Sequence, residues 1–368
     1  MEIKINRGKI LVYRVYDIGS EIDLDKVESL FEDKKLKERF KLDRKHNVSL
    51  IISSSPVSVH LGSFEMKLAD KIVPAEIIAK VWHFGTVSLS FQFSIPDDAS
   101  WSDLVKIASW LEKDQEIEVF ARNKAKQFQN DIKDAIPTLN EWAMYEDYVI
   151  YFIQEFNNLT TPLSKLHEQV DIPALILAES KEVLAESTKK NVLENTFQYS
   201  KDDLVVVDWN SALVIEPNGS MDVPLVIEFA LNQLLEMRYY DDLLDQRLNT
   251  LYNAVVGRKK GLFSNRYSRL AEEAGQIYLE ISEIVENVEN SFKTVGDFYL
   301  ATIFRASSKR FRFDDWQRSI NDKLGNMAEV SKLLHSEVNE SRNQTMEMII
   351  VLLIAVEVVP LIFNLFFK

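Results

Sequence analysis

The chain of 368 residues contains no cysteine, ten glycines, nine prolines and five histidines. Without thiols there are no disulfides, thiolate metal sites or cysteine nucleophiles. The sparse glycines form neither a phosphate-cradling P-loop nor the GxGxxG turn of a dinucleotide site, and no GxSxG nucleophile elbow occurs. The histidines (His46, His60, His83, His167 and His335) are scattered, with no HExxH or other paired metal spacing. No cofactor or metal is therefore expected. An excess of basic residues is also lacking: the formal net charge is −14, which excludes a generally basic nucleic-acid binder but leaves local patches open. The opening MEIKINRGKILVYRVYD has no apolar h-region and is not the acid-poor, Arg/Ser-rich segment of a transit peptide.

What the chain does have is one long apolar run, MEMIIVLLIAVEVVPLIFNLFFK, at residues 346–368. As a helix, Met348–Phe367 is about 30 Å long, the thickness of a bilayer's hydrocarbon core. Its Leu, Ile, Val and Phe side chains favour insertion by about −4 to −9 kcal/mol, while one central acid, Glu357, costs roughly +3 kcal/mol. It is apolar around its whole circumference, so a membrane span is expected rather than a buried core helix. Pro360 leaves the Val356 carbonyl without an amide donor, and an intramembrane carboxyl normally faces another helix. With a single span in the chain, Glu357 is expected to contact a second copy, which makes the protein a homo-oligomer.

Proline is also absent from Leu225 to Val359. Two short basic breaks, GRKKGLFS (257–264) and RASSKRFR (305–312), divide this region into helical segments near 221–256, 265–304 and 313–367. The middle segment carries a heptad: Tyr267, Leu270, Ala274, Ile277, Ile281, Ile284 and Val288, then Val295 and Phe298. Leu231, Leu234, Leu235, Leu244, Leu248 and Leu251 repeat the theme in the first, and Ile320, Leu324, Met327, Leu334 and Val338 in the third. Such spacing implies an antiparallel bundle or coiled-coil stalk. If the third helix descends into a membrane, the start of the second lies near the lipid. Arg258, Lys259, Lys260, Arg266 and Arg269 are then expected at lipid headgroups, on a cytoplasmic side. The distal cluster Arg305, Lys309, Arg310 and Arg312 is a candidate contact for an anionic partner. So is the run KKLKERFKLDRK, through Lys34, Lys35, Lys37 and Arg39; RNA or a ribosome would be such a partner.

Upstream, the pattern is mixed. Residues 9–17 read as a strand, 23–42 as a charged amphipathic helix, and 57–68 as part of a strand-rich block. In WHFGTVSLSFQF (82–93), Val87, Leu89, Phe91 and Phe93 alternate with Ser88, Ser90 and Gln92, a half-buried antiparallel strand. A helix follows, with Asp98 or Ser100 as its cap. EDYVIYFIQEF (146–156) is a further strand, IPALILAES (172–180) a helix opened by proline, and DLVVVDWNSALVIEPNG (203–219) a hairpin turning at Trp209–Ser211. Without a βαβ rhythm, the class expected is α+β. Segments 1–140 and 141–220 form a mixed head, 221–344 a helical bundle, and 345–368 a single transmembrane anchor. The densest polar motif is RYYDDLLDQRL (238–248), where Asp241 and Asp245 share a helix face. Such a carboxylate pair could serve acid/base or metal chemistry, or simply form ion pairs.

Taken in order, HFGTVSLSF, ALILAES, the helix EFALNQLLEMRYYDDLLD and the closing MEMIIVLLIAVEV resemble the family called required for meiotic nuclear division, whose members occur in bacteria and mitochondria. The resemblance runs from about residue 80 to the end. It implies a membrane-anchored homo-oligomer of bacterial type, with the bulk of the chain in the cytoplasm at the inner membrane. Mitochondrial relatives support translation, and the family offers no catalytic residues to carry over. The expected function is a membrane-anchored scaffold organising partners, with an enzyme centred on the head or Asp241/Asp245 as the alternative. A channel is a third class, which a single span with one acid makes weak.

Overall fold

The computed structural model describes residues 3–31, 37–39, 55–139, 144–256, 269–270, 272–279, 281–282 and 297–366. The chain forms two compact units. One comprises Met1–Met237 with Asn290–Asp314, the other Arg238–Glu289 with Asp315–Lys368.

The first unit is built on a ten-stranded mixed sheet. Its members in chain order are β1 (Lys4–Asp17), helix α1 (Leu24–Leu30), β2 (Lys37–Arg39), β3 (Val57–Leu68), β4 (Lys71–Val81), β5 (Thr86–Ser94) and β6 (Ala99–Ser100). Then come α2 (Trp101–Leu111), α3 (Glu116–Asp131), β7 (Tyr145–Asn157), α4 (Ile172–Ile176), α5 (Glu186–Leu193), β8 (Thr196–Phe197), β9 (Leu204–Val207) and β10 (Ser211–Ile215). The strand order is β2-β3-β4-β5-β1-β7-β10-β9-β8, with β6 also paired to β1. All named pairings are antiparallel except β7 with β10. This mixed sheet with helices is an α+β arrangement, and it joins the segments expected as two head subdomains through the pairing of β1 with β7.

Strand β1 lies between β5 and β7, and its alternation feeds two cores. Ile10 and Val12 join Val27, Leu104, Ala121, Phe128 and Leu175 in one continuous buried cluster under α1–α4. Leu11, Tyr13 and Val15 are equally buried on the opposite face. That face is covered by Val223–Met237, the first part of α6 (Asp222–Val256), and by α8 (Phe298–Arg310). Between them in sequence lie helical residues 272–279, α7. The last helix, α9, runs from Phe313 to Phe366.

Several expectations change. The helix expected over 23–42 stops at Leu30, and Lys37–Arg39 is instead a strand paired with Val57–Val59. The strand expected from Trp82 begins at Thr86, because Trp82–Gly85 forms a turn. Gly85, at φ +106°, approaches Gly19 so closely that a Cβ would sit 2.0 Å from its carbonyl oxygen. β5 is antiparallel as expected but buried on both faces, with Ser88 at 0% exposure. Ser100 caps α2, exchanging hydrogen bonds with Asp103 in a capping box. The middle helix does not continue to 304: Asp297 caps a new helix, α8, and Phe298 is 83% exposed. Arg305–Arg310 is helical, and the break is confined to Phe311–Arg312, where Arg312 adopts φ +59°.

In the second unit, Leu244, Leu248 and Leu251 of α6, Ala274 of α7, Ile281, and Ile320, Leu324, Met327 and Leu334 of α9 are buried. These are heptad-spaced positions of the sequence pattern. Ile277 and Val338 are half-buried. Tyr267, Ile284, Val288 and Val295 lie outside the described residues.

Candidate functional site

Every residue of α6 from Val223 to Met237 is buried, including Glu228, Asn232, Gln233 and Glu236. A helix buried all round must satisfy its polar groups internally. Lys80 Nζ of β4 donates to Glu228 Oε2 at 2.5 Å, and Ser88 of β5 donates to the other carboxylate oxygen. One turn on, Thr86 Oγ1 donates to Asn232 Oδ1 at 2.6 Å, while Asn232 Nδ2 donates back to the Glu228 carbonyl at 2.7 Å. Ser88 and Thr86 of β5 are thus partners for this helix rather than part of a solvent-facing edge. Burial, and then the charge of Glu228, push the Tyr13 hydroxyl well above its ordinary pKa despite a hydrogen bond with Ser90. A lysine–glutamate pair this enclosed fixes one geometry of helix on sheet and offers no open position for a substrate.

A second polar cluster lies on the opposite face. Glu118 of α3 pairs with the buried Arg14 at 3.3 Å and with Arg122 at 3.1 Å. The Tyr16 hydroxyl donates to Glu118 at 3.4 Å. Nearby Glu112 has its carboxyl pushed up by burial and then by Asp147, with Arg14 opposing.

The third cluster holds Asp241 and Asp245, whose spacing made them candidates for chemistry. Lys323 Nζ of α9 lies 2.8 Å from Asp241 Oδ1 and 2.6 Å from Asp245 Oδ2. Ser319 Oγ donates to Asp241 Oδ1 at 2.6 Å. Burial disfavours the Lys323 charge, but hydrogen bonds to both aspartates outweigh it and raise its pKa above the ordinary lysine value. The pair is an ion-paired staple between α6 and α9 within the second unit, as is Arg247–Glu273 at 3.5 Å between α6 and α7. Among the described residues, no group of three or more His, Asp or Glu side chains is placed to hold a metal.

The basic candidates separate. Arg310 Nε donates to the buried Asp208 Oδ1 at 2.9 Å, and a second guanidinium nitrogen reaches the same oxygen. A third reaches Asn191 Oδ1 at 3.1 Å. Arg305, Lys309 and Arg312 are exposed. Lys37 and Arg39 lie in β2, and Arg269 is exposed in a helical segment. Lys34, Lys35, Arg258, Lys259, Lys260 and Arg266 lie outside the described residues. The Arg310–Asp208 pair was not legible in advance, because its partners are 102 residues apart and neither belongs to a spacing motif.

The last feature is α9 itself, one helix long and apolar enough to cross a membrane. From Met346 to Val359 every Met, Ile, Leu and Val is between 42% and 65% exposed. Glu357 lies exposed within this stretch.

Fold and clusters together define a mixed-sheet α+β protein with buried ion pairs in its core and one exposed apolar helix. The family profile described as "Uncharacterized protein MJ0711, N-terminal domain" matches residues 7–222, and the chain belongs to that family. The match covers the sheet and α1–α5, ending where α6 begins. "Uncharacterized protein MJ0711" of Methanocaldococcus jannaschii is 24% identical over 218 residues, 58% of this chain and 65% of the relative. The chain therefore spans just under two thirds of that relative's length. No solved structure matches.

Proposed function

We propose that the protein is a membrane-anchored oligomeric scaffold, which holds its mixed-sheet unit at a membrane surface and organises partners there. The observation that carries this reading is the continuous exposure of the apolar side chains Met346–Val359. An apolar surface of this extent marks an interaction with a partner or a membrane. The length and insertion energy of 348–367 suit a bilayer, and the cost of Glu357 falls within that energy. A second copy meeting the span at Glu357 would relieve that cost and make the scaffold a homo-oligomer. The cytoplasmic face of an inner membrane is the proposed location, with Arg258, Lys259, Lys260, Arg266 and Arg269 at anionic headgroups. Translation machinery is the proposed cargo, on the resemblance to the family required for meiotic nuclear division. The direct test is carbonate extraction of membranes from cells expressing the full chain or a chain ending at Gln344. The full chain is expected in the pellet and the shortened one in the supernatant. Retention of both, or release of both, would overturn the reading.

A further inference from the structure

Beyond its anchoring, the first unit carries a surface that no family description assigns. Trp209 stands 60% exposed at the tip of the β9–β10 hairpin. The turn beneath it is held from several directions. The Tyr148 hydroxyl is shared between the carbonyls of Asp208 and Ser211, at 2.7 and 2.8 Å. The Trp209 amide donates to Asp208 Oδ1 at 2.7 Å, the oxygen that Arg310 also holds. Phe311 packs edge-on against Tyr148 with ring centroids 5.6 Å apart. The backbone that carries this indole is thus fixed, which limits the ordering cost when a ligand stacks on the ring.

Exposed cations flank the same hub along the chain. Arg310 bonds Asn191 and Asp208, and each of these three residues has a chain neighbour exposed to solvent: Lys309, Lys190 and Trp209. Lys190 and Lys309 sit in the last turns of α5 and α8. Arg305, one turn before Lys309, is exposed and lies along its own helix, its Nε donating to the Ala301 carbonyl at 3.2 Å. Arg310 is neutralised by Asp208, so it positions the surface rather than contacting a ligand. An acid also approaches: Glu112 accepts from Asn210 Nδ2 at 3.4 Å.

We propose that this surface binds single-stranded nucleic acid, with Trp209 as a stacking platform and Lys190, Arg305 and Lys309 as phosphate contacts. Cations alone would suit any polyanion, but an exposed indole on a fixed turn adds recognition of bases. The inference names a partner class for the scaffold and rests on that reading only for where the complex sits. Binding itself can be measured without a bilayer.

The test is fluorescence anisotropy with the full chain in uncharged detergent. Labelled polyuridylate RNA is the probe, with polyphosphate and vesicles of anionic phospholipid as competitors. RNA is expected to bind with a log–log salt slope of about −2, from three phosphate contacts. Trp209→Ala should weaken RNA binding about tenfold while leaving polyphosphate competition unchanged, and Trp209→Phe should restore most of the loss. Lys190→Ala/Lys309→Ala should weaken RNA and polyphosphate alike. Absence of RNA binding, or binding indifferent to Trp209→Ala, would overturn the proposal. So would anionic vesicles displacing RNA through Trp209. Carbonate extraction of the same variants reports separately on the span, so failure of the anchor and failure of the RNA site remain distinguishable.

Discussion

Two helical stretches of similar length treat water in opposite ways. In α6, Val223–Met237 is buried at every position although it contains Glu228, Asn232, Gln233 and Glu236. In α9, Met346–Pro360 is exposed at every position although it is almost wholly apolar. The first meets most of its polarity from within: Lys80, Ser88 and Thr86 bond Glu228 and Asn232, so a helix with charged residues can occupy the middle of a folded unit. Of its four polar side chains, only Gln233 is buried with an oxygen, Oε1, unbonded among the described residues. The second has no solution within the described residues of the chain, and its surroundings must supply one. Composition alone does not separate buried from exposed; the partner supplied to each face does.

The strongest way to break the comparison is to make α9 resemble a soluble helix. Leu352→Arg/Ile354→Arg adds about 5–7 kcal/mol to insertion, at roughly 2.5–3.5 per arginine. That rivals the whole favourable energy of the span, so the variant is expected in the soluble fraction after flotation. Next is the loss of the partner inside α6. Glu228→Ala removes the buried carboxylate that Lys80 and Ser88 both hold and should destabilise the first unit by about 3–5 kcal/mol in denaturant unfolding. Lys80→Met/Glu228→Leu should recover most of that loss, since an apolar pair of similar volume removes both charges from the interior together. A smaller effect, about 1–3 kcal/mol, is expected for Asn232→Ala, which strands the buried Thr86 hydroxyl.

The smallest effect belongs to the second unit. Lys323→Met loses a pair with the half-exposed Asp245 and one with the less exposed Asp241, and should cost about 1–2 kcal/mol. Its pH dependence has a definite sign. The Lys323 pKa is raised in the folded chain, so the stabilisation is complete below the ordinary lysine value and is lost as pH rises through the raised one. Wild type and Lys323→Met should therefore differ at neutral pH and converge only in strong alkali.

Much of the fold was legible from local pattern. β1, β3, β7 and the 204–215 hairpin follow from alternation and turn residues, and the buried leucines of α6 and α9 from their spacing. Strand β4 was not, because Pro74 interrupts KIVPAEIIAKV and weakens its strand signature. The covered serine face of β5 was not legible either: its cover arrives 140 residues later, and local alternation cannot register a distant partner. The helix expected over 23–42 shows the reverse error, a charged amphipathic pattern extended past Leu30 into β2. The sites follow the same rule. Asp241 and Asp245 were visible as a pair, but Lys323, which turns them into a staple, lies 82 residues from Asp241. Arg310 was visible as one of a basic cluster, but its partner Asp208 was not.

The absence of cysteine makes the central claim directly measurable, since a single introduced thiol is the only one in the chain. Ile354→Cys and Ser336→Cys would each be treated with a membrane-impermeant maleimide in intact membrane vesicles, and again after denaturation. Ser336→Cys is expected to react in open or inside-out vesicles, and Ile354→Cys only after denaturation. Equal labelling of the two in intact membranes would place the apolar stretch of α9 in water and rule out a membrane span.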